Sequence, residues 1–216
     1  MIHKLFLILP LAIFVFISSI FYFGLNNESG EQLPSAFLNK SSPELILEVM
    51  GRNPLPTSDD LTLPGIKIVN FWASWCGPCR AEHSNLDRLS LMGYNLIGIN
   101  YKDDPKLALA FLEELGNPYK KVGADASGRT GINWGIYGIP ETFLIDANGT
   151  VILRHAGPLT DSVIEKKVME AYALASTLLK SEKEKIITKI KEIYSEADEH
   201  NDKSKEILEK IIKLLK

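Results

Sequence analysis

Short apolar segments alternate with helical patterns between residues 43 and 180, and this alternation predicts an α/β domain. Residues 66–72 are β-branched and aromatic, which is typical of a buried central strand. A helical pattern follows over residues 76–91, and residues 96–100 form a second buried strand. Residues 103–115 predict another helix, which opens on Asp-Asp-Pro, because Asp caps helices and Pro fits their first turn.

The second half of the domain predicts a hairpin and a final helix. Residues 142–146 and 151–155 are strands on either side of Asn148-Gly149, a strong hairpin signal, and a helix follows over residues 161–179. Three shorter elements complete the prediction: strands at 43–49 and 122–124, and a short helix or loop at 127–135. Strand, helix, strand, helix, hairpin and helix is the order of the thioredoxin-like fold, in which helices cover both faces of a mixed sheet.

An apolar run over residues 5–25 predicts a membrane anchor, because about twenty apolar residues cross the core of a bilayer. The alternative is a cleaved signal peptide, but the apolar core of such a peptide is only about 7–15 residues and ends at a small-residue cleavage site. Lys4 is the one lysine or arginine before the run, which favours an internal N-terminus and an external domain. We therefore predict an uncleaved transmembrane helix at 1–25 and a polar tether at 26–42.

The tail at residues 181–216 differs in composition from the domain. Lysine and glutamate alternate around isoleucines at helical spacing, and residues 198–202 are polar enough to separate two helices. A solvated helical hairpin resting on the domain is favoured over a docking or self-association arm, because balanced charge with a narrow apolar stripe is typical of surface helices.

Overall charge gives no indication of a nucleic-acid partner. The net charge is −3 and the isoelectric point is about 5.9. No basic cluster interleaved with aromatic residues occurs along the chain. Nucleic-acid binding is therefore not expected.

The two cysteines of the chain, Cys76 and Cys79, flank Gly77-Pro78 at the point where the central strand gives way to a helix. The positive end of a helix stabilises a thiolate, which is the nucleophilic form of cysteine. A structural zinc site needs four ligands, and a permanent disulfide across so short a loop restricts the unfolded chain very little. The pattern predicts a redox-active Cys76–Cys79 disulfide with no metal and no cofactor.

Pro140 stands at the start of a predicted strand, where a missing N–H is tolerated. In the thioredoxin-like fold this position is a cis-proline that faces the two cysteines. The preceding backbone is then free to pair with an extended substrate. We therefore predict a cis peptide bond between Ile139 and Pro140.

Longer segments of the chain resemble the DsbE/CcmG family, membrane-anchored thiol:disulfide interchange proteins of cytochrome c biogenesis. The resemblance covers roughly residues 33–175, and its most specific blocks are Tyr-Lys-Asp-Asp at 101–104 and Gly-Ile-Tyr-Gly-Ile-Pro-Glu-Thr at 135–142. Two features depart from the family pattern. The family usually carries Pro-Thr between the cysteines, where this chain has Gly77-Pro78, and the tail extends beyond the family's end.

The resemblance implies a protein-disulfide reductase on the periplasmic side of a bacterial inner membrane. Its substrate would be apocytochrome c, or a partner thiol protein, whose haem-binding cysteines must be reduced before haem is attached. A membrane thiol transporter would supply the electrons. The alternatives are a thiol reductase for copper-site assembly in a terminal oxidase and a non-catalytic module that holds apocytochrome.

The resemblance also assigns roles around the disulfide. Cys76 attacks the substrate and Cys79 resolves the mixed disulfide. Thioredoxins place a buried Asp where this chain has Asn70, so the proton acceptor is predicted to be Glu82 or Glu141, with Tyr137 able to hydrogen-bond either carboxyl. Glu82 one helical turn after Cys79 could equally be a solvated surface carboxylate. The residues predicted to contact the substrate are Trp75, Gly77, Pro78, Tyr137 and Ile139.

Overall fold

The computed structural model describes residue 10, residues 13–22 and residues 37–196. The chain divides into two units, Met1–Leu33 and Pro34–Lys216. The α/β domain predicted from the sequence lies in the second unit.

In the first unit, residues 13–22 are helical and expose apolar side chains such as Phe14 and Phe16. Within the described residues, no helix combines the length and the apolar character that a membrane crossing requires. Much of the predicted anchor at 1–25 and most of the predicted tether at 26–42 lie outside the described residues.

Six strands form one mixed sheet in the second unit. They are β1 (Glu48–Val49), β2 (Lys67–Trp72), β3 (Asn95–Tyr101), β4 (Lys121–Asp125), β5 (Glu141–Ile145) and β6 (Val151–Ala156). Their order across the sheet is β1-β4-β3-β2-β5-β6. The β2–β3 and β3–β4 pairs are parallel, and β1, β5 and β6 join antiparallel. The predicted thioredoxin-like sheet is therefore confirmed, with β2 at its centre.

The first strand is shorter than the sequence predicted. Residues 43–49 were expected to be extended and paired, but only Glu48–Val49 pairs with the sheet. The backbone of Ile46 bonds instead to one side chain, since its N–H donates to Thr130 Oγ1 at 3.0 Å and its carbonyl accepts from the same hydroxyl at 2.7 Å. A side chain thus replaces the neighbouring strand at this position.

The helices lie close to their predicted positions as far as residue 163. They are α1 (Gly77–Leu91), α2 (Pro105–Leu115), α3 (Arg129–Asn133), α4 (Asp161–Val163), a π-helical turn (Ile164–Val168) and α5 (Met169–Glu196). The segment at 127–135, left open between helix and loop, contains α3.

The last helix continues past the predicted end of the domain. The helix predicted over residues 161–179 was expected to end near residue 179, yet α5 runs unbroken through Lys180 to Glu196. Lys, Glu, Leu and Ala all favour helix, so a change from apolar to charged composition alters the helix surface without ending the helix. The predicted break at 198–202 lies outside the described residues.

Alternation along β2 decides which residues lie beneath α1. Ile68 and Trp72 belong to the core cluster that contains Leu86 of α1, whereas Phe71 belongs to the cluster on the other face. Successive strand side chains point to opposite faces, so Asn70 shares the face of Ile68 and Trp72. The central strand β2 therefore presents the polar side chain of Asn70 to the helix that carries the cysteines.

Gly98 in β3 allows an aromatic ring to approach the same face. A Cβ atom at this position would lie 2.8 Å from the ring of Tyr119, which is too close for any ordinary contact. The Tyr119 ring stacks on Trp72, with 5.9 Å between the ring centroids and 17° between their planes. The missing side chain of Gly98 is therefore what admits Tyr119 to the core.

We expect Gly98→Ala to lower the free energy of unfolding by about 1–3 kcal/mol, because the added methyl group overpacks the core against Tyr119. Urea denaturation of the purified protein, followed by circular dichroism, measures the change. Gly138→Ala is the matched control, since a Cβ atom there meets nothing within 4 Å. Equal unfolding midpoints for the two variants would show that Gly98 is not required for packing.

Candidate active site

Cys76 and Cys79 form a disulfide at the N-terminus of α1, with an S–S distance of 2.06 Å. Cys76 is the N-cap residue of the helix, and the N–H of Cys79 donates to Cys76 Sγ at 3.1 Å. Unpaired N–H groups and the helix dipole both favour negative charge at this position. In the reduced protein, Cys76 is therefore the cysteine whose thiolate the fold stabilises.

A tight turn between β2 and α1 places Cys76 at this position. The N–H of Cys76 donates to Ala73 O at 3.2 Å, and α1 begins directly afterwards at Gly77. Pro78 lies in the first helical turn, where no partner is needed for a backbone N–H. Gly77 and Pro78 are both exposed, so this edge of the disulfide is open to a partner.

The peptide bond between Ile139 and Pro140 is cis, as predicted. It brings the carbonyl oxygen of Ile139 to 3.6 Å from Cys76 Sγ. Pro140 is buried, whereas Ile139 is partly exposed. The chain before the strand β5 thus forms the wall of the site opposite the helix.

Two exposed aromatic side chains lie in the segments that form the site, Trp75 directly before Cys76 and Tyr137 two residues before Ile139. Trp75 is 58% exposed, and its Nε1 donates to Lys102 O at 3.1 Å. Tyr137 is 60% exposed, and its ring lies 5.1 Å from the guanidinium carbon of Arg154. The sequence allowed Tyr137 to hydrogen-bond Glu82 or Glu141. Its backbone hydrogen-bonds Glu141 and lowers the pKa of that carboxyl, while its ring forms the cation–π contact with Arg154.

Glu82 is buried, so the alternative of a solvated helix carboxylate is wrong. Its side chain is one turn beyond Cys79 on α1, and the residue is 1% exposed. Oε1 accepts from Asn70 Nδ2 at 2.9 Å, and Oε2 accepts from the N–H of Leu159 at 2.7 Å. Burial raises the pKa of Glu82 to about 7, and the two hydrogen bonds oppose that rise. A carboxyl with this pKa can exchange a proton at neutral pH.

Asn70 links Glu82 to two further buried side chains. Its amide Nδ2 also donates to Thr142 Oγ1 at 3.0 Å, and its Oδ1 accepts from the hydroxyl of Tyr119 at 2.7 Å. Burial raises the pKa of Tyr119 well above its ordinary value, and the negative charge of Glu82 adds to the rise. Tyr119 therefore stays protonated and donates. Asn70 cannot take a proton, as the sequence indicated. It instead holds the carboxyl of Glu82, which can, in place.

Glu141 is fully buried and paired with a cation. Arg154 on the neighbouring strand β6 donates from Nε to Glu141 Oε1 and from a terminal nitrogen to Gly135 O at 2.9 Å. Burial raises the pKa of Glu141, and the hydrogen bond and charge of Arg154 act in the opposite direction. As a candidate proton acceptor, Glu141 thus differs from Glu82 in having a positive partner.

The remaining polar residues near α1 have structural partners. Arg80 forms an exposed bidentate pair with Glu114, at 2.7 and 3.1 Å. His83 lies with Nε2 3.0 Å from Gly116 O, and His155 lies with Nε2 3.3 Å from Pro158 O. Both histidines are buried, at 3% and 5% exposed. Among the described residues, no group of three His, Cys, Asp or Glu side chains could hold a metal ion.

Sequence reasoning did not identify Tyr119, Thr142 or Arg154 as parts of the site. All three lie in segments that carry the family resemblance, but no local spacing connects them to Cys76 or Cys79. Asn70 and Tyr119 are 49 residues apart in the chain, and Asn70 and Thr142 are 72 apart. Alternation along the predicted central strand was the one available signal, because it places Asn70 on the α1 face.

Comparisons with known proteins agree with this geometry. Residues 39–173 match the family model Redoxin. The thiol:disulfide interchange protein HelX of Rhodobacter capsulatus is 43% identical over 160 residues, which cover 74% of this chain and 91% of that protein. The thiol:disulfide interchange protein DsbE of Escherichia coli is 42% identical over 168 residues, covering 75% and 90%.

A solved structure gives the same result. The crystal structure of a protein assigned as a DsbE thiol:disulfide interchange protein from Chlorobium tepidum is 27% identical and superposes with a TM-score of 0.53. The match covers 65% of this chain and 99% of that one. With the disulfide, the cis-proline and the buried carboxyl on one thioredoxin-like scaffold, the chain belongs to the redoxin family and, within it, to the DsbE-type thiol:disulfide interchange proteins.

Proposed function

We propose that the protein is anchored in a bacterial inner membrane and reduces disulfides of apocytochrome c, or of a partner thiol protein, on the periplasmic side before haem is attached. The observation that carries thiol–disulfide exchange is the pairing of an N-capping Cys76 with a buried Glu82 whose pKa is about 7. The family resemblance supports the reductive direction. The apolar run at 5–25 supports the anchor. The resemblance in the segments at 101–104 and 135–142 supports the client.

In the first step, the Cys76 thiolate attacks one sulfur of the substrate disulfide. A bond forms between Cys76 and that sulfur, the substrate S–S bond breaks, and the released substrate thiolate takes up a proton. An extended substrate segment is proposed to pair with the backbone beside Ile139. Trp75 and Tyr137 would contact it from the two sides, since both are exposed.

In the second step, Cys79 attacks Cys76 and frees the substrate. Cys79 must first lose its proton, and we assign Glu82 as the acceptor, because both are buried on one side of α1, one turn apart. The Cys76–Cys79 bond forms, the mixed disulfide breaks, and the second substrate thiolate leaves and is protonated. Two electrons and two protons have then passed to the substrate, and a membrane thiol transporter would restore them.

We expect Glu82→Gln to slow single-turnover reduction of a disulfide peptide at pH 7 by about a hundredfold, within the range typical of a lost general base. The difference between wild type and variant should grow as pH rises through about 7, where Glu82 becomes ionised. Alkylation of Cys76 by iodoacetamide should change little, because the first step does not use Glu82.

Glu113→Gln is the control for this measurement, since Glu113 is exposed on α2. If Glu82→Gln retains the wild-type rate and pH profile, Glu82 is not the acceptor. Glu141→Gln then becomes the variant to test. Glu141 differs from Glu82 in its ion pair with Arg154.

Cys79→Ser should trap the client, because a mixed disulfide at Cys76 can no longer be resolved. Full-length protein carrying this substitution is isolated from membranes without reductant, and the attached polypeptide is identified by mass spectrometry. We expect apocytochrome c, linked through a haem-binding cysteine, and no adduct with Cys76→Ser/Cys79→Ser. Recovery of a copper-site protein would contradict the proposed client, and failure of the wild type to reduce any disulfide would contradict the reductase.

A further inference from the structure

Asp103, in the loop between β3 and α2, is bonded to the segment that leads into the active site. Its carboxylate accepts from Ser74 N–H at 2.6 Å and from Ser74 Oγ at 2.8 Å. It also accepts from Asn100 Nδ2 and from the N–H of Asp104, both at 2.9 Å. Each carboxylate oxygen therefore accepts two hydrogen bonds. Two of the four come from Ser74, which lies two positions before Cys76.

The sequence predicted Asp103 and Asp104 together as the cap of α2, but the helix uses only the second. Asp104 accepts from the N–H groups of Lys106 and Leu107 at 2.8 and 3.3 Å, and Pro105 begins the helix. Asp103 contributes none of the capping bonds to the helix. Two of its four hydrogen bonds therefore hold the segment before Cys76, and the other two, from Asn100 and Asp104, order its own loop.

Lys102 supports Trp75, the residue that follows Ser74 in the loop before Cys76. Its φ angle is +46°, in the left-handed region that non-glycine residues rarely adopt. In this conformation its N–H donates to Asp125 O at 3.1 Å, and its carbonyl accepts from Trp75 Nε1 at 3.1 Å. Such a backbone persists only where its surroundings fix it. Lys102 and Asp103 thus hold Trp75 and Ser74, the two residues directly before Cys76.

We propose that Asp103 is a positioning residue for thiol–disulfide exchange, which holds Ser74 and thereby sets the place of the Cys76 sulfur at the helix N-terminus. With Lys102 it forms a brace, residues 102–103, behind the attacking cysteine. This inference rests on the proposed function, since it concerns the reactivity of the same cysteine.

The energetics favour such a role. Hydrogen bonds to a charged group are stronger than those between neutral groups, so the two bonds from Ser74, at 2.6 and 2.8 Å, restrict this loop strongly. The contact that stabilises the Cys76 thiolate, 3.1 Å from the Cys79 N–H, depends on where the loop places Cys76. Misplacement of a reacting atom by about 1 Å can cost a hundredfold in rate. Loosening the brace should therefore reduce both thiolate stability and exchange rate.

The negative charge of Asp103 has the opposite effect on the pKa of Cys76, because a carboxylate disfavours a nearby thiolate. Removing the charge alone would lower the pKa of Cys76, whereas releasing Ser74 would raise it. Asp104→Asn separates the two effects. It removes a charge one residue away, and Asn caps a helix as well as Asp does.

The test compares Asp103→Asn with Asp104→Asn in the reduced full-length protein. The pH dependence of Cys76 alkylation by iodoacetamide gives its pKa, and single-turnover reduction of a disulfide peptide gives the rate. We expect a higher pKa of Cys76 in Asp103→Asn than in Asp104→Asn. The exchange rate at pH 7 should fall about tenfold in Asp103→Asn and stay within about twofold of wild type in Asp104→Asn. Equal pKa values and equal rates for the two variants would overturn the proposal.

Ser74→Ala provides a second, milder variant. It removes only the 2.8 Å hydroxyl bond and leaves both the carboxylate and the backbone bond in place. We expect a change in the same direction and smaller than that of Asp103→Asn. If circular dichroism shows that Asp103→Asn does not fold, wild-type behaviour of Ser74→Ala overturns the proposal. The alkylation measurement needs no substrate, so it tests the brace even if the wild type reduces no disulfide.

Discussion

The site depends on the burial of one carboxyl, that of Glu82, on the helix that carries the cysteines. Glu82 is 1% exposed among apolar side chains, so its charged form is costly unless hydrogen bonds compensate. Its two bonds come from the central strand and from Leu159, whose carbonyl in turn accepts from Asn85 Nδ2 at 2.6 Å. The helix is therefore fixed to the sheet on one side and to the segment before α4 on the other.

The same constraint explains the amide at position 70. A carboxylate there would lie within hydrogen-bond distance of Glu82 in the core, where two like charges cannot both be ionised. Asn70 instead donates to Glu82 and accepts from Tyr119. Tyr119 reaches that position only because Gly98 has no side chain. Residues 70, 82, 98 and 119 thus form one interdependent set, with a single proton-binding group that titrates near neutral pH.

Local pattern was sufficient to predict the fold but not the surroundings of the site. Strand and helix positions follow from apolar periodicity and turn residues, which act over a few neighbours. The cysteine pair and Pro140 were identified because their spacing has a local meaning. The Asn70–Tyr119, Glu141–Arg154 and Ser74–Asp103 contacts each join residues whose separation only the folded sheet determines. The end of α5 was misjudged for a different reason, since composition changed there without any residue that stops a helix.

The two cysteines are chemically unequal because the fold surrounds them differently. Cys76 receives an N–H donor at the positive end of α1 and lies beside exposed Gly77 and Pro78. Both cysteines are buried, at 4% and 2% exposed, but Cys79 shares its helix face with Glu82, whose ionised form disfavours a second negative charge nearby. Cys76 at the helix N-cap is thus prepared to attack a partner as a thiolate. The Cys79 sulfur holds its proton until Glu82 accepts it, which orders the two steps of exchange.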